Sequence, residues 1–201
     1  VLWREDAVNS FFYAVKEGAR WRRTLPLELP FATRRYEENE LLVEDAPVPL
    51  YDPQLVADKD GRIHAFWQDG KNNLFHSSVP ASEFTTFESW TARQLLSEST
   101  QGFSAAKDNA SKIHLAYVSS GEGIEVPAGV YYRSLAGDSE EWSEPDPIYK
   151  SAYYRAADPE GINIQLEVGK SPDNTSSVNV VVDNRPIEEV LYLNSTNSGQ
   201  T

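Results

Sequence analysis

The strongest constraint on this chain is a segment that recurs. Residues 57–67 read ADKDGRIHAFW, and residues 106–117 read AKDNASKIHLAY. His64 and His114 stand 50 residues apart, and Trp90 and Trp142 stand 52 apart, so the recurrence extends over a whole unit. The best-preserved copy begins with a short apolar run at 53–58, PQLVAD, which ends in Asp60-Gly61. Asp-Gly between two β-rich runs predicts a tight hairpin, because the turn needs positive φ and glycine supplies it without strain. The return strand is RIHAFWQ, residues 62–68. It points Ile63, Ala65 and Trp67 to one face and His64 and Phe66 to the other, so both faces are predicted to be covered. The turn Asp69-Gly70-Lys71-Asn72-Asn73, a third strand at 74–79, a polar spacer to Trp90 and a fourth strand at 92–96 complete the unit.

Degenerate copies flank it. The predicted units are 1–29, 52–96, 101–150 and 156–195. In the first, residues 1–6 correspond to the second strand of a unit, Trp21 corresponds to Trp90, and a fourth strand is expected near 24–29. Trp21, Trp90 and Trp142 track the repeat and are expected in the core. Residues 29–49 exceed what the other units need. They are read as an insertion loop with room for a short helix or an extra hairpin, and the bland reading is a solvated surface excursion. A period near fifty residues with four strands per unit is the pattern of β-propeller blades, whose two greasy faces are buried by stacking around an axis. The fold expected is therefore all-β, a β-propeller with four-stranded antiparallel blades, three and a half to four of them in this chain. A ring that starts and stops in mid-blade is expected to be completed by further blades or a second chain.

Composition excludes several functions. With 201 residues, 40% of them hydrophobic and 11% aromatic, the chain can bury one substantial core. It has no cysteine, which removes disulfides, thiol catalysis and thiolate metal sites. A formal charge of -13 repels phosphate backbones, so nucleic acid is not an expected partner. No apolar run approaches the length of a membrane span.

The most specific local pattern lies between third strand and tryptophan. Ala14-Val15-Lys16-Glu17-Gly18-Ala19-Arg20-Trp21 has the spacing of the Asp box, S-x-D-x-G-x-x-W, with Ala for Ser and Lys for Asp. Ser134 to Trp142 repeats it with one residue added and Ala136 at the Asp position, and Ser78 and Trp90 bracket a longer version. Together with the hairpin at 57–67, most of the chain resembles the sialidase (BNR/Asp-box) superfamily of propellers. That resemblance implies a six-bladed ring with a ligand bound on one face near the axis. For the catalytic members it implies an arginine triad, a Tyr nucleophile paired with a Glu, and an Asp acid/base. The Arg-Ile-Pro motif of the first triad arginine has no match here; Asn184-Arg185-Pro186-Ile187 only scrambles it.

The candidate ligand-binding residues are Tyr131, Arg133, Tyr153 and Arg155, from two Tyr-Tyr-Arg triplets in which rings can stack on a sugar and a guanidinium can pair with a carboxylate. Packing within a sheet is the competing reading of the tyrosines. His64 and His114 occupy equivalent strand positions, which points to repeated structural hydrogen bonding rather than to metal ligation; His76 falls under the same reading. No cofactor is expected. Asp58, Asp60 and Asp69 are acidic turn residues that can hold Ca2+, although turn chemistry alone explains them. The function expected is a non-catalytic, extracellular or periplasmic module that binds a glycan or a protein partner. The alternatives are a glycoside hydrolase of the sialidase type and a structural subunit completed by a partner chain.

Overall fold

The computed structural model describes residues 2–5, 10–23, 33–38, 41–47, 51–121, 126–137, 139–170, 176–197 and 199. Among them every extended element is a strand, and the helical pieces are single 3-10 turns. Strands β1 (Leu2–Glu5), β2 (Ser10–Glu17) and β3 (Arg20–Arg23) form one antiparallel sheet, and β4 (Thr33–Glu38) pairs with β5 (Leu41–Pro47). Two four-stranded meanders follow. One runs β6 (Tyr51–Ala57), β7 (Arg62–Gln68), β8 (Leu74–Pro80) and β9 (Gln94–Ser97). The next runs β10 (Thr100–Lys107), β11 (Ile113–Ser119), β12 (Gly129–Leu135) and β13 (Asp146–Lys150). A three-stranded sheet, β14 (Ile162–Lys170), β15 (Ser176–Asn184) and β16 (Glu189–Ser195), comes last.

The four larger sheets stack in chain order through their first strands. β1 lies against β6, β6 against β10, and β10 against β14. The two middle units and the last follow the predicted order of strands. Within residues 29–49 the β4–β5 pair is the extra hairpin for which the insertion had room. β1 is the edge of its sheet, and its register is that of a second strand: Trp3 lies opposite Phe12 as Trp67 lies opposite Phe75. Trp21 is not in the core: it is 58% exposed, whereas Trp90 and Trp142 are each 7% exposed. The cause is local. Gly18, at φ 60, closes a two-residue turn that pairs Glu17 with Arg20 and Lys16 with Trp21, so the segment doubles back as a hairpin with Lys16, Arg20 and Arg22 all exposed. The predicted strand near 24–29 lies outside the described residues.

One turn is used three times. Asp58, Asp69 and Asp108 each follow a strand, and the residue three positions on (Gly61, Asn72 or Ser111) has φ between 62° and 80°. In each, the aspartate Oδ1 accepts from the backbone N–H two and four residues ahead: Asp60 and Arg62, Lys71 and Asn73, Ala110 and Lys112, at 2.8–3.0 Å. The Asp-Gly segment is thus not a two-residue hairpin but a longer loop closed by its first aspartate, an Asx-type cap.

The middle strands are buried on both faces, as the alternation predicts. Ala65 and Trp67 pack with Phe75, Val79, Phe84 and Trp90 on one side of β7, while Phe66 packs on the other with β10–β13. β11 divides in the same way. Ile113, Leu115 and Tyr117 face the preceding sheet, and Ala116 and Val118 face Ile162, Ile164, Val180 and Val182 of the last one. Polar side chains stitch the first strands together. Gln54 donates to Phe103 O at 3.1 Å and accepts from Ala105 N at 3.0 Å, and Ser104 Oγ accepts from Leu166 N at 3.0 Å. The last sheet differs. β14 alternates strictly, with Ile162, Ile164 and Leu166 buried and Asn163, Gln165 and Glu167 exposed. Its outward face also carries Asn179, Asp183, Val190 and Tyr192, the pattern of a sheet with one wet side.

Leu115 is fully buried between two sheets. Leu115→Ala is expected to destabilise by about 3 kcal/mol in urea unfolding, against less than about 0.5 kcal/mol for Gln165→Ala on the wet face.

Candidate ligand-binding site

Because β6, β10 and β14 lie side by side and level, their starts converge at one end of the stack. There they frame a groove of about 480 Å³. Its floor is Phe103, Ile162 and Ile164, and its polar rim includes Gln54, Gln101, Asn163 and Arg185. Local sequence builds this shape. The β10–β11 register shifts between Thr100 and Gly102, so Gln101 is an extra residue in its strand. Bulges of this kind re-aim side chains. Gln101 Nε2 donates to Tyr154 O at 2.8 Å and Ala157 O at 3.0 Å, which pins the connection after β13 beside the groove. Pro159 and Gly161 of that connection complete the wall. Asn163 and Asp183 are register partners across β14 and β15, and Arg185 Nε donates to Asp183 Oδ2 at 3.3 Å. The groove therefore offers side-chain amides and one guanidinium beside apolar residues, the guanidinium being paired with Asp183 just outside it.

None of the four predicted site residues lines this groove. Tyr131 and Arg133 lie on β12. Tyr131 stacks on Tyr117 at 5.5 Å and its hydroxyl donates to Pro127 O. The Arg133 guanidinium crosses to the neighbouring sheet, donating through Nη1 to Leu96 O at 2.8 Å and through Nε to Ser143 O at 2.7 Å. Both are held by the fold. Tyr153 and Arg155 sit on the 3-10 turn Ala152–Arg155, Tyr153 packed on the last interior cluster and Arg155 exposed. The two pairs are thus on separate elements. The rim residues Asn163 and Gln54 had no signal in the sequence beyond ordinary strand polarity. Arg185 stood in view only as part of the scrambled Arg-Pro-Ile.

The histidines form directional chains inside the sheets. Trp142 Nε1 donates to His76 Nδ1 at 3.3 Å, His76 Nε2 and His64 Nδ1 are 3.0 Å apart, and His64 Nε2 is 3.5 Å from Asp58 Oδ2. An indole only donates, so His76 accepts at Nδ1 and, as a neutral ring, donates from Nε2. His64 then accepts at Nδ1 and presents its Nε2 proton to Asp58. β11 repeats the device: Tyr132 Oη is 2.6 Å from His114 Nδ1, and His114 Nε2 stands 3.5 Å from Asp108 Oδ2 without the alignment of a hydrogen bond. Tyr132 and His76 occupy the same register, opposite Ala116 and Phe66.

Burial pushes the His76 pKa down to about 3, with the nearby His64 and Arg62 charges adding to it. Burial also lowers His64 and His114, against the pull of Asp58 and Asp108. Burial would raise Asp58, but the Arg62 N–H and His64 outweigh it and hold the carboxyl below its usual range. Of the aspartates proposed for Ca2+, Asp58 and Asp69 accept backbone hydrogen bonds at their turns and Asp60 accepts from Lys59 Nζ, and no group of three or more metal-ligating side chains occurs among the described residues. No helix among them is long and apolar enough to cross a membrane. Comparison with protein-family models and with curated proteins finds no match to the chain.

A histidine buried neutral stabilises above its unfolded pKa and loses that contribution as pH falls. With His76 at about 3 against 6.5 unfolded, lowering the pH from about 7.5 to about 4.5 is expected to cost about 2–3 kcal/mol from this residue alone. Urea unfolding at both pH values measures it. His76→Gln, which can still accept from Trp142 and donate to His64, is expected to remove that part of the pH slope.

Proposed function

We propose that the chain is a non-catalytic, sialidase-like module built of propeller-type blades, outside the cytoplasm, whose groove binds a neutral glycan. The observation that carries this reading is the groove itself. It is concave, has apolar residues for a sugar's C–H face, and carries the Gln54 and Asn163 amides and the Arg185 guanidinium where hydroxyls can both donate and accept. Arg185 is the only arginine in the groove lining among the described residues, and its partner Asp183 offsets its charge. A carboxylate-clamping arginine triad has no counterpart there, and the tyrosine and arginine candidates on β12 are engaged within the sheets. These features favour binding over sialoside hydrolysis. A protein partner presenting hydroxyl and amide groups would use the same rim.

A glycan array probed with the purified chain tests the proposal. Binding to neutral glycans is expected, with Asn163→Ala and Arg185→Ala each weakening it by about tenfold, near 1.4 kcal/mol. Turnover of a fluorogenic sialoside, or unchanged binding in both variants, would overturn it.

A further inference from the structure

A pocket of about 360 Å³ lies between the β10–β13 sheet and the last sheet, and it shares no lining residue with the groove. Tyr132 and Ile148 form one wall, and Val178, Val180 and Leu193 form the other. All five belong to one interior cluster or pack against it, so their side chains converge. The corresponding space one sheet earlier holds an indole. There the Trp142 ring meets Phe66 and His76 edge to face, with centroids 5.8 and 5.3 Å apart, and its Nε1 donates to His76 Nδ1 at 3.3 Å. Register equates the two spaces. Tyr132 takes the place of His76, with Ala116 opposite it where Phe66 is opposite His76. Ile148 takes the place of Leu96, since each is the extra residue where a fourth strand shifts register against the third. Across the gap, Val178 and Val180 of β15 face the preceding sheet as Ile113 and Leu115 of β11 do. The segment after β16 forms the rim, where Gly199 N donates to Ser195 Oγ at 3.1 Å. Gly199 lies against the Tyr132 hydroxyl, so closely that a Cβ there would collide with it. That hydroxyl is also 2.6 Å from His114 Nδ1, so the tyrosine offers the pocket its ring.

We propose that this pocket binds a neutral aromatic ring of indole size, seated against Tyr132 as Trp142 is seated against His76. The aliphatic walls supply burial, and an aromatic edge on the tyrosine ring adds an attraction that a saturated ring lacks. The volume is at the low end of small-molecule sites, about 300–1,000 Å³, which suits a single ring system. No charged side chain lines the pocket, so a neutral ring is favoured over an aromatic acid or amine. The site does not depend on the glycan reading of the groove. The ring can come from a free small aromatic molecule or from a tryptophan side chain of a peptide.

The test is a methyl NMR titration of the full chain with indole, cyclohexanol, and end-capped Gly-Trp-Gly and Gly-Ala-Gly peptides. Indole is expected to shift the Ile148, Val178, Val180 and Leu193 methyl signals saturably, at least about fivefold more tightly than cyclohexanol. The alanine peptide is expected to leave them unmoved. A tryptophan peptide that binds more tightly than indole assigns the ring to a peptide; indole binding as tightly or more tightly assigns it to a free small aromatic. Leu193 is half-buried and faces the open space, so Leu193→Trp is expected to keep the fold, fill the pocket and weaken indole binding by at least about tenfold. Should that variant fail to fold, the comparison of ligands on the parent chain decides. No saturable shift with indole or the tryptophan peptide, or cyclohexanol binding as tightly as indole, would overturn the proposal. So would a folded Leu193→Trp that binds indole like the parent chain.

Discussion

The structure depends on strands that water cannot be allowed to touch on either side. Every residue of β11 is buried, and β7 is buried over its last five. Each large apolar side chain removed from water contributes about 1.5–3 kcal/mol, and here the gain is realised only when a neighbouring sheet arrives. A sheet of this kind cannot be stable alone. Stacking brings the first strands level with one another, and the side-chain bonds from Gln54 and Ser104 hold that alignment. The groove is what remains open at one end of strands packed this closely.

Burying polar groups in such an interior is costly unless each finds a partner. The Asp58–His64–His76–Trp142 chain meets that demand across a sheet boundary, because the indole comes from the following unit. It carries no net charge beyond the aspartate, whose other oxygen is held by the turn. The following sheet reaches the same end with different residues: Tyr132 takes the register of His76, and Ser176 of the last sheet donates to Asp108 Oδ2 at 3.0 Å. Each sheet thus binds its own turn and reaches toward a neighbour.

Strand order, the two-sided burial of β7 and the structural role of the histidines followed from spacing alone, because alternation and repeat length are properties of the chain itself. Trp21 shows where that stops. Its spacing copied Trp90, and it pairs with Lys16 as Trp142 pairs with Leu135, yet its ring is left in solvent. Spacing describes positions along the chain, whereas burial depends on what arrives from elsewhere. The candidate site was further out of reach for the same reason. Gln54, Asn163 and Arg185 are far apart in sequence and meet only because three first strands lie level. Tyr131 and Arg133 have the chemistry of a sugar site, but their polar ends are claimed by Pro127, Leu96 and Ser143, partners that no local pattern reveals.

The wet face of β14–β16 bears on association between molecules. A row of sheets that ended in bare aliphatic side chains would recruit another copy of itself, and a head-to-tail contact of that sort propagates into fibres unless it closes. Asn163, Gln165 and Glu167, with the Tyr192 and Asn194 side chains both hydrogen-bonded to Asn179 Oδ1 at 2.8 Å, keep that surface hydrated. By that argument, hydrophilic side chains on all three strands disfavour polymerisation through this face.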